Sequence, residues 1–170
     1  MELKVELVDI DTLITDPDNV RLHNDRNRDA VRRSIKQFGI RKPVVAHAKT
    51  NIVYAGNLTL DVARELGRKQ IPVAWIPADV PSEVCRAYGI ADNKTSDLSS
   101  FDDERLKEAL RTLSEVPEID IEGVGFSQAE VDALLATVDD FQLEDDFPEV
   151  GDDLETEHEC PKCGFKWSGK

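Results

Sequence analysis

No stretch of this 170-residue chain approaches the ~18 consecutive apolar residues that a membrane-spanning helix needs. The amino terminus, Met-Glu-Leu-Lys-Val-Glu, has no apolar signal core either, so a cytoplasmic protein with no membrane partner is expected. Cysteine is scarce. Cys85, Cys160 and Cys163 do not make a disulfide framework, and the last two are spaced as metal ligands. There is no internal repeat and no clustered carboxylate triad of the kind a metal-dependent nuclease uses. Positive charge is missing altogether from residues 139–159, which hold eleven Asp or Glu and account for most of the net charge of −14. That run has too few apolar residues to pack and is expected to be a flexible linker.

Cations are instead gathered in residues 21–49: Arg21, Arg26, Arg28, Arg32, Arg33, Lys36, Arg41, Lys42 and Lys49, against only Asp25 and Asp29. A polyanion such as DNA can be attracted to such a segment while the whole molecule stays acidic. A solvated, Arg-rich helix face explains the same residues.

The periodicity predicts a compact α+β domain. Leu3, Val5 and Leu7 alternate with charged residues as in a half-buried edge strand. From Asp29, the residues Ala30, Val31, Ser34, Ile35 and Phe38 share one helical face that ends at Gly39. Two strands, 43–47 and 51–55, are joined by a tight turn at 48–50. A helix through Leu60, Val62, Ala63 and Leu66 follows, then a strand over 71–76. Further helices are expected from Ser82 toward Ala91, from Asp102 or Asp103, and from the Ser127-Gln128-Ala129-Glu130 capping box. Strand, helix, hairpin, helix, strand and then helices make a small mixed sheet with packed helices.

One junction carries chemistry on its face. Gly56 closes a strand and opens a helix, whose first N–H groups lack partners and whose dipole is positive there. Gly56 permits close backbone approach, and Asn57 and Thr59 can each donate to an oxyanion. Asn57 as a plain helix cap, with Gly56 as a turn residue, fits the same pattern.

The segment 53–67, Val-Tyr-Ala-Gly-Asn-Leu-Thr-Leu-Asp-Val-Ala-Arg-Glu-Leu-Gly, resembles the central box of the ParB N-terminal domain family, also described as ParB/sulfiredoxin or "ParB-like nuclease". Three further boxes resemble that family in order and spacing. They are Asn19-Val20-Arg21-Leu22-His23, the helix and strand over 34–45, and Arg86-Ala87-Tyr88-Gly89-Ile90-Ala91-Asp92-Asn93-Lys94. Together they span roughly residues 3–138. The Ala-Asp-Asn-Lys version of the last box, with Phe-Asp-Asp-Glu and Gly-Phe-Ser-Gln-Ala-Glu after it, is most similar to ParB-like proteins of phages and mobile elements, some of them encoded beside DNA methyltransferases.

The resemblance implies a ParB/sulfiredoxin-like domain at 1–98 and a helical extension at 99–138. The acidic linker would then occupy 139–157 and a zinc-knuckle-like tail 158–170. It implies phosphate or nucleotide binding by Gly56, Asn57 and Thr59, with Arg21 and His23 at the rim and Asn93 and Lys94 beside them. Asp92 and Asn93 match the family's Glu-Asn pair, whose oxygens suit a Mg²⁺ that bridges phosphates. Asp92 and His23 are the candidates for catalysis. The chain departs from its relatives where nucleotide-binding ParB proteins carry arginines and sulfiredoxins carry Cys-His-Arg; Asn57, Leu58 and Thr59 stand there. Without the Cys, sulfinic-acid reduction is not expected. Without the Arg, a phosphate clamp is missing.

Cys160-Pro161-Lys162-Cys163-Gly164 reads as a zinc knuckle, with His158 as a third ligand and a second subunit as a source of the rest. A free tail is the alternative. Cys85 lies on an apolar helix face and reads as core. The leading expectation is a phosphate- or nucleotide-binding, DNA-associated module of phage or mobile-element DNA metabolism or modification, with a DNA methyltransferase and a second copy of the chain as candidate partners. A Mg²⁺-dependent nuclease or phosphotransferase of the same fold, and a non-catalytic adaptor that recruits a partner through its tail, are the alternatives. Whether the chain is an enzyme is left open.

Overall fold

In the computed structural model, residues 4–136 and 158–167 are described. The chain divides into two compact units at Ala136. The expected linker, 139–157, lies outside the described residues.

The first unit is built on a five-stranded mixed sheet in the order β1-β5-β3-β4-β2. Its strands are β1 (Val5–Asp9), β2 (Ile14–Thr15), β3 (Val44–His47), β4 (Ile52–Ala55) and β5 (Gln70–Ile76). β1 pairs antiparallel with β5, β5 parallel with β3, β3 antiparallel with β4, and β4 parallel with β2. The helices are α1 (Asp25–Phe38), α2 (Asn57–Glu65), α3 (Ser82–Asp97), α4 (Asp103–Ser114), α5 (Ile121–Val124) and α6 (Gln128–Leu135). The α+β class with a small mixed sheet is as the sequence predicts. No helix among the described residues is long and apolar enough to cross a membrane.

α2 lies at the centre of the packing. Its Leu60 and Ala63 join Val44, Ala46, Val53, Ile71 and Val73 from the sheet and Ile10 and Leu13 from the first turn. Leu58 and Val62, four residues apart on another face, meet Ile35 of α1. A helix buried on two faces has only its ends and one edge left for polar work.

Several local readings are corrected. β1 is an edge strand, but its phase is inverted: Val5 and Leu7 face outward, at 49% and 68% exposure, while Val8 packs against the core. Glu6 takes the inward side and accepts a hydrogen bond from Trp75 Nε1 at 3.2 Å. The wide indole gives a carboxylate a donor there, which alternation of apolar residues does not register. α1 starts four residues before the expected Asp29, because Asn24 caps it and accepts from the Asn27 N–H at 2.8 Å. α3 begins at the expected Ser82, with Pro81 as its cap, and runs to Asp97 rather than stopping near Ala91.

Gly89, inside α3, accounts for how closely that helix crosses β4. A β-carbon there would collide with the carbonyl oxygen of Tyr54. The helical extension packs back onto α1: Arg33 reaches Asp120 and Glu122, and Gln37 Oε1 accepts from the Asp120 N–H at 2.9 Å.

The predicted capping box of α6 is present. Glu130 Oε2 accepts from the Ser127 N–H at 2.8 Å and its hydroxyl at 2.9 Å, and Arg26 of α1 also reaches that carboxylate. Arg26 foremost, with the two Ser127 donors, holds the Glu130 carboxyl down at about 2. A carboxyl depressed on folding contributes stability above its ordinary value of 4.5, and that contribution is lost as pH falls from there toward 2. In acid titrations followed by circular dichroism, Glu130→Gln should lower stability at neutral pH and remove part of the stability lost between these two pH values. An unchanged acid limb would refute that role.

Candidate phosphate site

The end of β4 feeds straight into α2 through Gly56, which adopts the left-handed conformation at φ 90° and ψ 25°. This is one position where glycine is required. Besides the backbone strain, a β-carbon would lie 2.8 Å from Val44 Cγ1. Gly56 is the N-cap residue, and its carbonyl accepts the first helical bond from the Leu60 N–H at 3.0 Å. No side chain caps this end and no acidic residue stands in the first turn. The N–H groups of Asn57, Leu58 and Thr59 therefore have no helical acceptor, and the positive end of the dipole is left uncompensated.

This end opens into a cavity of about 320 Å³. The sequence-predicted Arg21, His23, Gly56, Asn57, Thr59, Asp92 and Asn93 all line it. Lys94 does not. It lies in the last turn of α3 near Asp97. Four lining residues that sequence reading did not assign complete the polar wall: Asn19, Asn27, Lys42 and Ser96. Asn19 sits in a recognised box, whereas Lys42 looked like one more cation in a run of them.

Asn57 does something other than cap. Its buried Oδ1 accepts from the Asp16 N–H at 2.9 Å and so ties the loop before Asn19 to α2. The carboxamide nitrogen has no protein acceptor among the described residues, so Nδ2 remains available to a ligand. Asp61 and Arg64 continue this tie along the same helix edge. The Thr15 hydroxyl donates to Asp61 Oδ1 at 2.9 Å. Arg64 Nη2 donates to the carbonyls of Leu13 at 2.7 Å and Ile10 at 3.2 Å.

The rim loop then places Arg21, whose backbone N–H donates to Asn19 Oδ1 at 3.1 Å. Its guanidinium grips Asp97 of α3 through two bonds of 2.6 and 2.9 Å. That grip raises the arginine further and holds the Asp97 carboxyl below the usual range. His23 Nδ1 lies 2.7 Å from Asn27 Oδ1, which holds the ring at the rim.

On the α3 side, Asp92 lies 3.5 Å from Lys42 Nζ. Asn93 Nδ2 donates back to the Gly89 carbonyl at 2.8 Å, which leaves its Oδ1 uncommitted. Because α3 continues to Asp97, these two residues stand on a helix body and are not its end caps. One carboxylate and one amide oxygen fit a Mg²⁺ that takes its other ligands from phosphates and water. They do not make an all-protein cage: no group of three or more His, Cys, Asp or Glu able to hold a metal occurs among the described residues.

The cations of 21–49 are not a bare face. Arg21, Arg26, Arg28, Arg32, Arg33 and Lys42 each pair with a carboxylate. Arg41 Nε donates to the Phe38 carbonyl at 2.7 Å instead. Cys85 lies on the buried face of α3, and that burial pushes its thiol up.

The second unit contains a hairpin of β6 (His158–Glu159) and β7 (Lys166–Trp167). Cys160 and Cys163 are both free thiols on its turn. The Cys160 N–H donates to the Phe165 carbonyl at 2.8 Å, and the Gly164 N–H to the Cys160 carbonyl at 2.9 Å. The expected third ligand, His158, is not gathered with the two sulfurs. Its ring lies against Trp167, with centroids 5.5 Å apart.

Among solved structures, the chain aligns with the C-terminally truncated chromosome-partitioning protein ParB from Caulobacter crescentus complexed with CTP-γ-S. The TM-score is 0.64 at 17% identity, over 78% of this chain and 77% of that one. The chain has a ParB-type fold. Two looser alignments are to a Pnob8-like ParB-N domain (TM-score 0.47, 19% identity, 67% of this chain and 46% of that one) and to the truncated Caulobacter crescentus ParB complexed to the centromeric parS site (TM-score 0.42, 16% identity, 76% and 70%). No family model matches the sequence, and no curated protein does.

Within this ParB-type fold, the cavity has donors converging from three sides, and one of them, Arg21, is held back by Asp97. Asp97→Asn should free that guanidinium. Titration with inorganic pyrophosphate should then show affinity rising several-fold, with the gain abolished in an Arg21→Ala, Asp97→Asn double variant. Equal affinity in Asp97→Asn and the parent would mean that Arg21 does not reach the anion.

Proposed function

We propose that the chain is a ParB-like module that binds the phosphates of a nucleotide at the N-terminus of α2 and associates with DNA. The carrying observation is the uncapped, left-handed glycine entry to α2, open to a cavity that also receives Arg21, His23, Lys42 and Thr59. Three free N–H groups, a helix dipole, a hydroxyl and two cations suit a polyphosphate better than any neutral ligand. The missing box arginine is offset in this reading by Arg21 and Lys42, which arrive from other elements. The volume stands at the low end for ligand sites, which suits phosphates and a sugar with the base toward the rim. Asp92 and Asn93 would hold Mg²⁺ once phosphates supply further oxygens. The resemblance to proteins of phages and mobile elements suggests DNA modification, beside a methyltransferase, as the setting.

Calorimetric titration with CTP, ATP and GTP, with and without Mg²⁺, tests this directly. Thr59→Val and Asp92→Asn are the informative variants. Asn57→Ala is not, since it strands a buried Asp16 N–H, a loss of about 1–3 kcal/mol. We expect Mg²⁺-dependent binding that weakens roughly tenfold or more in Asp92→Asn. No binding of any nucleotide by the folded protein would end this reading.

DNA association would run through residues 21–49. Lys36, Arg41 and Lys49 have no carboxylate partner among the described residues, and the other pairs are exposed enough to exchange for phosphate. Affinity for duplex DNA should fall steeply with salt, and removing Lys36 and Arg41 should flatten that dependence. Salt-independent binding, or none, would detach DNA from this surface. Phosphodiester cleavage lost in Asp92→Ala would instead favour the nuclease or phosphotransferase reading.

A further inference from the structure

Residues 16–24, between β2 and α1, form neither helix nor strand, yet they carry three of the residues that line the cavity, Asn19, Arg21 and His23. No ladder of backbone bonds holds this loop. Its apolar side chains do not anchor it either, since Val20 is 68% and Leu22 92% exposed. Its position therefore rests on polar ties.

The first tie is Asn57 Oδ1 to the Asp16 N–H. Asp16 then builds a turn: its carboxylate accepts from the Asp18 N–H at 3.0 Å, and its carbonyl from the Asn19 N–H at 3.2 Å. From that turn the Asp18 side chain meets α3, where its Oδ2 accepts from Arg86 Nη2 at 2.5 Å. Further along, Asn19 Oδ1 accepts from the Arg21 N–H, and the Arg21 guanidinium grips Asp97. Arg86 stands in the second turn of α3 and Asp97 ends it, about 16 Å farther along the axis at 1.5 Å per residue. The loop is thus pinned to one helix at two points. α3 is a firm post for it, because Cys85 and Gly89 are buried and a β-carbon at Gly89 would meet the Tyr54 carbonyl.

The two pins differ in what they hold. Asp97 holds the guanidinium of a cavity residue, whereas neither Asp18 nor Arg86 lines the cavity. We propose that Arg86 is a positioning residue of the phosphate site: paired with Asp18, it fixes the turn at 16–19 so that Asn19 and Arg21 face the anion. This role rests on the reading of the cavity as a phosphate site. Asn19 Oδ1 is committed to the Arg21 N–H, so the group it presents is the donating Nδ2. The Arg86 and Asp18 side chains are 47% and 63% exposed, so their pair adds little to stability. Its consequence lies in the geometry of the rim, and it carries an unexpected sign. Asp18, a carboxylate close to an anion site, favours anion binding by way of the loop.

The test is calorimetric titration of the full chain with inorganic pyrophosphate, for the parent, Asp18→Ala, Arg86→Met and the double variant. Were the two charges to act only through their fields, Asp18→Ala would bind more tightly, Arg86→Met more weakly, and the double variant like the parent. Positioning predicts a loss in all three, about two- to fivefold for an exposed pair. The double variant should fall between the two single ones, because the tie is lost only once. Asp97→Asn is the contrast, since it also removes a carboxylate and affinity should rise there. Urea midpoints of the three variants should match the parent. Parent-like or tighter binding by Asp18→Ala, a double variant as tight as the parent, or losses that follow a lowered midpoint would each overturn the proposal and leave the phosphate site standing. No binding of pyrophosphate by the parent would remove the phosphate reading and this role with it.

Discussion

The polar edge of α2 is the constraint on which the cavity depends. Asn57, Asp61 and Arg64 follow one another at four and three residues, so they line one side of a helix whose other faces are buried. All three reach across to residues 10–16: Arg64 to the carbonyls of Ile10 and Leu13, Asp61 to the Thr15 hydroxyl, Asn57 to the Asp16 N–H. Ile10 and Leu13 are buried side chains, so their carbonyls have little access to water and need protein donors. A hydrogen bond to a charged group is worth about 1.5–3 kcal/mol, and an orphaned buried partner loses a similar amount. This edge therefore fixes where the chain emerges toward Asn19, and so where Arg21 and His23 can stand. The close crossing of α3 over β4 at Gly89 sets the opposite wall. Two close fits, one polar and one steric, bring three separate stretches of chain to one helix end.

An acidic protein can carry an anion site where its charges are unevenly spread along the chain. The net charge is −14, but eleven of the acids fall in residues 139–159, outside the sequence of the first unit. At the α2 terminus the first turn carries no acid, and three amides and the dipole act at contact range. The local donors, not the net charge, set the field at that helix end. The same accounting tempers the basic segment: +7 along the chain becomes much less on the surface, because α2, α5 and α6 present Glu65, Glu122 and Glu130 to the arginines of α1. What remains is a set of exchangeable pairs that a phosphate backbone must compete for.

Much of this was legible in the sequence where a single residue type has one physical use. Gly56 after an apolar strand, Gly39 at the end of a helical stripe and the Ser127–Glu130 box all appear where their local chemistry requires. The site residues read from the boxes gather in one cavity, Lys94 excepted. What could not be read depends on partners far along the chain. The phase of β1 is set by Trp75, sixty-nine residues from Glu6. The length of α3 past Ala91 comes through Asp-Asn-Lys-Thr-Ser-Asp, a stretch with no apolar period whose Thr95 and Ser96 hydroxyls bond back to the helix carbonyls. Asn57 looked like a ligand donor or a cap because both are local roles; its tie to Asp16 spans forty-one residues. Lys42 was hidden in plain composition, since nothing in a run of cations marks the one that faces Asp92.

That pairing bears on whether the cavity is made to hold or to cut. Phosphodiester hydrolysis by metals relies on carboxylates arranged to bind the ions and to orient the attacking water. Here one carboxylate, Asp92, faces the cavity already paired with a cation at 3.5 Å, and Asn93 adds a neutral oxygen. Donors outnumber acceptors around them: backbone amides, the Thr59 hydroxyl, the Asn57 amide, Arg21 and Lys42. On the proposed reading, such a wall suits a bound polyanion. Both cations are also held by partners that they can leave, Arg21 by Asp97 and Lys42 by Asp92. A polyphosphate that draws the two away would loosen the ties of the rim loop and of the 41–43 segment to α3, so occupancy of the cavity would be felt along the whole length of that helix.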